Sequence, residues 1–403
     1  MRIYIPSVFV RDQLTFSPDK RGLGTVRITA IETIALADPG KAWETVVRVH
    51  TDEGISGIGQ AESPSLVIDA IIRCDGGLEE LLRGEDPLQV ERLWQKMYAA
   101  TGLFGRRGVT IAAIGAVETA LWDIAGQALG KPVCELIWQA CCTVTESSEI
   151  KEKVRPYATV YPPGEEVDEI VERFTLARER GFRAMKLEEW PGGFSHVSIQ
   201  RDVEIVRTAR ETIGEERDLL IDVQNRWSEV GQALESIRAI ADFRPFFVEA
   251  PLPADNLAGL ARLADAVDTR IAVGDWGFTT RFEFEEIMEK GRVDVVQPSS
   301  VRSGGIREIT RIAEAAYRRG LICVPHAWCH MVGVAAEIHL AAVLPNMPFF
   351  EMPIAFPDSP IISELITPAV ELDADGLIEV PKRPGLGFAL NEDVVERFRV
   401  APH

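Results

Sequence analysis

Eight apolar runs recur through the second half of this 403-residue chain, at 154–160, 183–188, 218–223, 246–251, 270–275, 293–298, 321–326 and 349–354. Charged amphipathic segments such as 167–180 and 200–214 separate most of them. A strand that is apolar on both faces must be covered on both, and helices between parallel strands do that. The pattern therefore predicts an α/β fold built on a (β/α)8-type, modified TIM barrel. The last helix is not obvious, because after Ile354 the chain turns proline-rich and loses the repeat.

Before residue 150 the pattern differs. Residues 26–37 and 44–51 alternate as strands do, and Asp52-Glu53-Gly54 is a hairpin signal ahead of 55–60. Residues 87–99 are amphipathic. Residues 110–129 carry apolar side chains at helical spacing until Gly130-Lys131-Pro132 stops them. The expected organisation is an α+β capping domain over 1–150, a barrel over 151–355, and a carboxyl-terminal segment, 356–403, that packs back on the cap.

Charge narrows the partners. A formal net charge of −19 disfavours nucleic acid and anionic membranes. No apolar run reaches about 18 residues, so no membrane span is expected. The first residues lack the shape of a signal peptide. The six cysteines show neither a CxxC pair nor disulfide-framework spacing, which fits a reduced, cytoplasmic compartment.

Three barrel runs end in acids about 27 residues apart. Asp222 closes Leu219-Leu220-Ile221, Glu249 closes Phe246-Phe247-Val248, and Asp275 closes Ile271-Ala272-Val273-Gly274. This spacing brings all three to the carboxyl-terminal mouth of one barrel, where barrel enzymes keep their chemistry. Converging like charges repel strongly in a low dielectric. A hard divalent cation resolves that, and all-oxygen ligation selects Mg2+ or a relative. The bland alternative for any one acid is a helix N-cap.

Four motifs carry a family resemblance: Glu44-Thr45-Val46-Val47-Arg48-Val49, Gly57-Ile58-Gly59-Gln60-Ala61-Glu62, Ala120-Leu121-Trp122-Asp123-Ile124-Ala125-Gly126 and Pro384-Gly385-Leu386-Gly387. In this order they resemble the mandelate racemase/muconate lactonising branch of the enolase superfamily, over nearly the whole chain. The resemblance implies a capping domain closed over the barrel mouth and Mg2+ held by Asp222, Glu249 and Asp275. It implies a metal-bound substrate carboxylate whose α-proton is removed to give an enediolate. Homo-oligomers are common in that family.

The resemblance also marks departures. Asp275 replaces a usual Glu, and Gln224 a usual Asn. Lys186 and Glu188 share one face of the second strand, since side chains alternate. Lys186 matches the lysine that touches the substrate carboxylate. Glu188 stands where an acid/base lysine is usual, to act as acid or base or to keep Lys186 protonated. Ser299 replaces the sixth-strand Asp or Lys. His326 matches the seventh-strand histidine without its usual Asp, and imidazole suits both proton abstraction and delivery to a leaving hydroxide. Glu351 matches an eighth-strand acid that, if neutral, hydrogen-bonds a substrate carboxylate. His330 reads as background. Gly304-Gly305 lacks a GxGxxG or Walker context, so no phosphate loop is expected. Trp190, Trp276 and Trp328 follow strand ends, to line the pocket or pack under loops. Specificity is expected in a flap at 17–24 and in 101–108 and 189–195.

The reaction expected is β-elimination of water from an acid sugar, a small-molecule carboxylate. One placed base suffices for that, whereas a two-base racemase needs a group on each face of the α-carbon. The rivals are a racemase, epimerase or cycloisomerase, and a metal- and ligand-binding barrel with impaired turnover.

Overall fold

A computed structural model describes residues 26–145, 149–161, 166–188, 198–275, 277–328, 330–353 and 359–402, with 141–145 as backbone only. The expected flap, the 189–195 loop, Trp190 and Trp276 lie outside the described residues.

Three antiparallel strands open the fold: β1 (Ile28–Asp38), β2 (Ala42–Thr51) and β3 (Ser56–Gln60). Arg399–Val400 pairs with β1, so the far end of the chain adds a fourth strand to this sheet. Helix Val109–Leu129 packs on β2 and β3 and also meets the barrel helix Ile306–Tyr317. Its residues from Thr110 to Gly126 are all buried. By length and composition it is apolar enough to cross a membrane, with mean hydropathy 1.4, yet 94% of that window lies inside the fold. A helix covered on every side needs no polar face.

After a short strand β4 (Lys153–Val154) come the barrel strands β5 (Pro156–Val160), β6 (Ala184–Leu187), β7 (Asp218–Asp222) and β8 (Val248–Glu249). They continue as β9 (Ile271–Val273), β10 (Val295–Val296), β11 (Ile322–Cys323) and β12 (Phe350–Pro353). All ladders are parallel, in the order β12-β5-β6-β7-β8-β9-β10-β11. Among the described residues no ladder joins β11 to β12. A helix follows each of β5 to β11, but after β12 the described helices are the single turn Pro360–Ser363, which touches β1 and β2, and the short Glu392–Phe398, which packs on β1. The barrel is thus the modified type, with the tail leading back to the amino-terminal sheet where an eighth helix would stand.

The barrel interior explains where the chemistry can sit. Tyr157, Ala184, Leu220, Phe247, Ala272, Val295, Val324 and Phe349 form one apolar cluster, one residue from each strand or its edge. This floor excludes water from beneath the mouth.

Candidate active site

Strand side chains alternate, so the residue two beyond each floor position points inward again, one layer nearer the mouth. Those residues are Thr159, Lys186, Asp222, Glu249, Gln297, His326 and Glu351, all buried. On β9 the position is Gly274, at φ 143°, where an added Cβ would lie 2.5 Å from the Phe284 ring and 2.9 Å from the Gln297 backbone. The chain bends there, and Asp275 supplies that strand's carboxylate from just past the ladder. Other strand ends are also strained: Gln224, Asn225, Ala250 and Trp328 have φ of 48°, 59°, 46° and 43°.

Asp222, Glu249 and Asp275 present carboxylate oxygens within 4.8 Å of one another. Two unit charges that close repel by about 3 kcal/mol even at an effective dielectric of ~20. Burial, then Glu249 and Glu188, push Asp222 well above the usual carboxylate range. Burial likewise lifts Glu249 to about 7. Lys186 Nζ stands among these charges, 3.2 Å from both Glu249 oxygens, 3.2 Å from Glu351, 3.4 Å from Glu188 and 3.7 Å from Asp222. One ammonium cannot balance them all. Three hard anionic oxygen donors in a buried cluster fit a divalent cation of the Mg2+ kind.

Burial alone would deprotonate Lys186, but Glu249 and Glu351 outweigh it and hold the amine charged. Lys186 is therefore a fixed cation. Glu188 pairs with it and also accepts from Gln224 Nε2 at 3.1 Å. Burial raises Glu188 to about 7. Gln224 donates its backbone N–H to Asp222 at 2.8 Å, so it braces two acids at once.

Glu351 is hydrogen-bonded from three sides. It accepts from the Thr159 hydroxyl and from the backbone N–H groups of Ala327 at 3.1 Å and Trp328 at 2.9 Å. Burial opposes its charge, but Lys186, then His326, Thr159 and the Trp328 N–H bring it down to about 2. It is an ionised acceptor and cannot donate to a substrate carboxylate in this state.

His326 is held by the partners its sequence context left unnamed. Its Nδ1 lies 3.4 Å from Ser299 Oγ and its Nε2 3.7 Å from Glu351. A bridge pairs Ser299 with His326, which aligns the two side chains. Burial lowers the imidazole to about 4, so it is neutral at ordinary pH.

Two other features read differently in three dimensions. His330, taken as background, is fully buried, with Nδ1 2.6 Å from Glu44 and Nε2 3.5 Å from Glu62. Burial would discharge it, but Glu44 and Glu62 raise it to about 10. The rings of Trp43 and Trp328 flank it at 6.4 and 5.7 Å. Arg302 bonds both Glu62 and the Asp275 carbonyl. Sequence spacing carries no signal for this group, since 286 residues separate His330 from Glu44. Gly304-Gly305 is an interlock between helix Val109–Leu129 and the barrel. A Cβ on Gly305, at φ 94°, would lie 2.2 Å from Glu118, whose carboxylate caps the following helix through Ile306 N at 2.7 Å and Arg307 N at 3.0 Å.

Residues 25–138 match the family described as mandelate racemase/muconate lactonizing enzyme, N-terminal domain, and residues 169–394 that described as enolase C-terminal domain-like. The chain is 32% identical over 353 residues to an arabinonate dehydratase of Saccharolobus solfataricus, covering 87% of this chain and 89% of that protein. It is 30% identical over 367 residues to a D-galactonate dehydratase of Ralstonia pickettii, covering 88% and 91%. The crystal structure of the 3,6-anhydro-D-galactonate cycloisomerase from Zobellia galactanivorans matches with a TM-score of 0.81 at 28% identity, over 93% of this chain and 100% of that one. Such relatives mark an enzyme of lyase or isomerase type. The chain belongs to the mandelate racemase/muconate lactonizing branch of the enolase superfamily.

Proposed function

We propose that the protein is a Mg2+-dependent acid-sugar dehydratase. Its substrate is a small polyhydroxy carboxylate, from which it removes the α-proton and the β-hydroxyl as water. Asp222, Glu249 and Asp275 would hold the ion, and Mg2+ so bound supplies positive charge to the substrate carboxylate. Lys186 adds a fixed ammonium beside it. His326, a neutral imidazole on a dry floor, takes the α-proton. The imidazolium then returns that proton to the departing β-hydroxide, so atoms and charge balance as loss of one water. Ser299 and Glu351 keep the ring in place through both transfers.

The observation that carries this reading is the contrast between the His326 imidazole and the Lys186 ammonium, which share one inward layer of the barrel. His326 is neutral and able to accept a proton, whereas Lys186 is locked as a cation among carboxylates. A two-base racemase needs a competent group on each face of the α-carbon. A cycloisomerase is the second reading, supported by likeness to the Zobellia enzyme.

Pentonic, hexonic and aldaric acids incubated with Mg2+ test it. At least one is expected to give a 2-keto-3-deoxy acid with wild-type protein and none with His326→Ala. Exchange of solvent deuterium at the α-carbon with no keto acid formed would overturn dehydration in favour of an isomerase.

A further inference from the structure

We propose that Glu62 is a positioning residue for the metal centre: through Arg302 it fixes the backbone that presents Asp275, and so links seating of the cap to Mg2+ affinity. An Asp side chain has only two rotatable bonds, so its backbone largely dictates where the carboxylate goes. At Asp275 the sheet gives little help, because β9 ends at Val273 and Gly274 bends away from strand geometry. Arg302 does the holding instead. One guanidinium nitrogen bonds the Asp275 carbonyl and another bonds Glu62. A planar guanidinium tied at two points has little freedom left.

Glu62 is in turn anchored from several sides. It follows β3, and its backbone N–H donates to Val301 O at 3.2 Å. Its second oxygen faces the buried His330, which is clamped from the other side by Glu44 of β2. Gln60 donates to Glu44 and accepts from the backbone N–H groups of Val332 and Gly333 at 2.9 and 3.2 Å. The ends of two cap strands are thereby stitched to the loops after β9, β10 and β11. Exposed ion pairs contribute little. Here side-chain exposure is 22% for Arg302, 12% for Glu62 and 0% for His330, so removing one member strands the others. A residue that merely glued cap to barrel would need only its backbone bond to Val301 and its carboxylate contact with His330. The Arg302 contact with Asp275 is what directs it at the ion.

The test is a calorimetric Mg2+ titration of the full chain without substrate, on wild type, Glu62→Gln and Arg302→Lys. Arg302→Lys keeps the charge but loses the fork. Both variants are expected to bind Mg2+ about tenfold more weakly or worse, the usual scale for outer partners of a metal ligand. A Kd within twofold of wild type in both, with near-ultraviolet circular dichroism showing native packing, overturns the inference. If Glu62→Gln does not fold, Arg302→Lys decides alone by the same criterion. The inference rests on the Mg2+ site of the proposed function and not on its reaction. A wild-type chain that binds no Mg2+ overturns both. One that binds Mg2+ yet makes no keto acid overturns dehydration alone, and the variant affinities still decide the role of Glu62.

Discussion

Lys186 Nζ sits 5.5 Å from the centroid of the Tyr157 ring and 3.2 Å from oxygens of both Glu249 and Glu351. Taking an ammonium out of water into such a place costs several kcal/mol, which only close anionic partners offset. Deleting it leaves those partners buried and mutually repelling. Lys186→Met is therefore expected to destabilise the metal-free protein by about 3–5 kcal/mol. Mg2+ should restore much of the loss, since it answers the same carboxylates. Calorimetric melting with and without Mg2+ reads the difference, and an equal loss in both conditions would refute it. In this layer Asp222 and Glu249 were legible as acids that close apolar runs, and Lys186, His326 and Glu351 through the family resemblance; each stands two residues past a floor side chain. The charge of Glu351 was not legible. It depends on Lys186 first, and then on donors that include the N–H of Trp328, whose backbone at φ 43° no residue pattern announces. His330 and Glu62 were missed for a plainer reason, since their partners lie on other strands of a different layer.

Helix Val109–Leu129 joins the layers, and its two acids face opposite neighbours. Asp123 accepts from Ile58 N at 3.1 Å in β3 and from Leu386 N at 2.9 Å in the carboxyl-terminal signature, and burial lifts it to about 6. The motifs that carried the family resemblance at these positions are thus contacts of assembly. Glu118 turns the other way. It accepts from Trp122 Nε1 at 2.6 Å and caps helix Ile306–Tyr317 of the barrel, where a carboxylate also meets the positive end of the helix dipole. Burial raises it to about 8, so its neutral form is accessible at ordinary pH. Glu118→Ala would leave three buried donors without an acceptor. At about 1–3 kcal/mol for each such group, a loss of roughly 3 kcal/mol or more is expected. Glu118→Gln keeps an acceptor oxygen and the volume, and should lose clearly less. Urea unfolding midpoints compare the two. Equal losses would mean that the cap is not what stabilises this junction. The eighth helix shows where element reading fails: eight strands were visible as apolar runs, but a helix replaced by a turn at Pro360–Ser363 leaves no periodicity to read.

Over the whole molecule, an acidic chain of net charge −19 sets three cations among carboxylates at the junction of cap and barrel mouth. Lys186 and His330 stand there against carboxylates from more than one element, and Arg302 bridges the Glu62 carboxylate and the Asp275 carbonyl. His330 makes this junction sensitive to pH. Glu44 of β2 and Glu62 after β3 face its two nitrogens, Arg302 lies beyond Glu62, and Trp43 and Trp328 close the sides. Its folded value of about 10 lies above the 6.5 of a free imidazole. Below 6.5 folded and unfolded chains both carry the proton, and the full stabilisation is present. Between 6.5 and about 10 the unfolded chain releases the proton while the folded one keeps it, so the contribution declines with rising pH and is gone above about 10. His330→Asn removes the titrating group. The melting temperature of the variant should therefore fall furthest below wild type near pH 6 and converge on it towards pH 10.5, because other alkaline titrations act on both proteins alike. A gap that stays constant across that range would show that no buried imidazolium joins the two layers. Convergence would show that the cap is held over the mouth by a charge the fold itself keeps protonated.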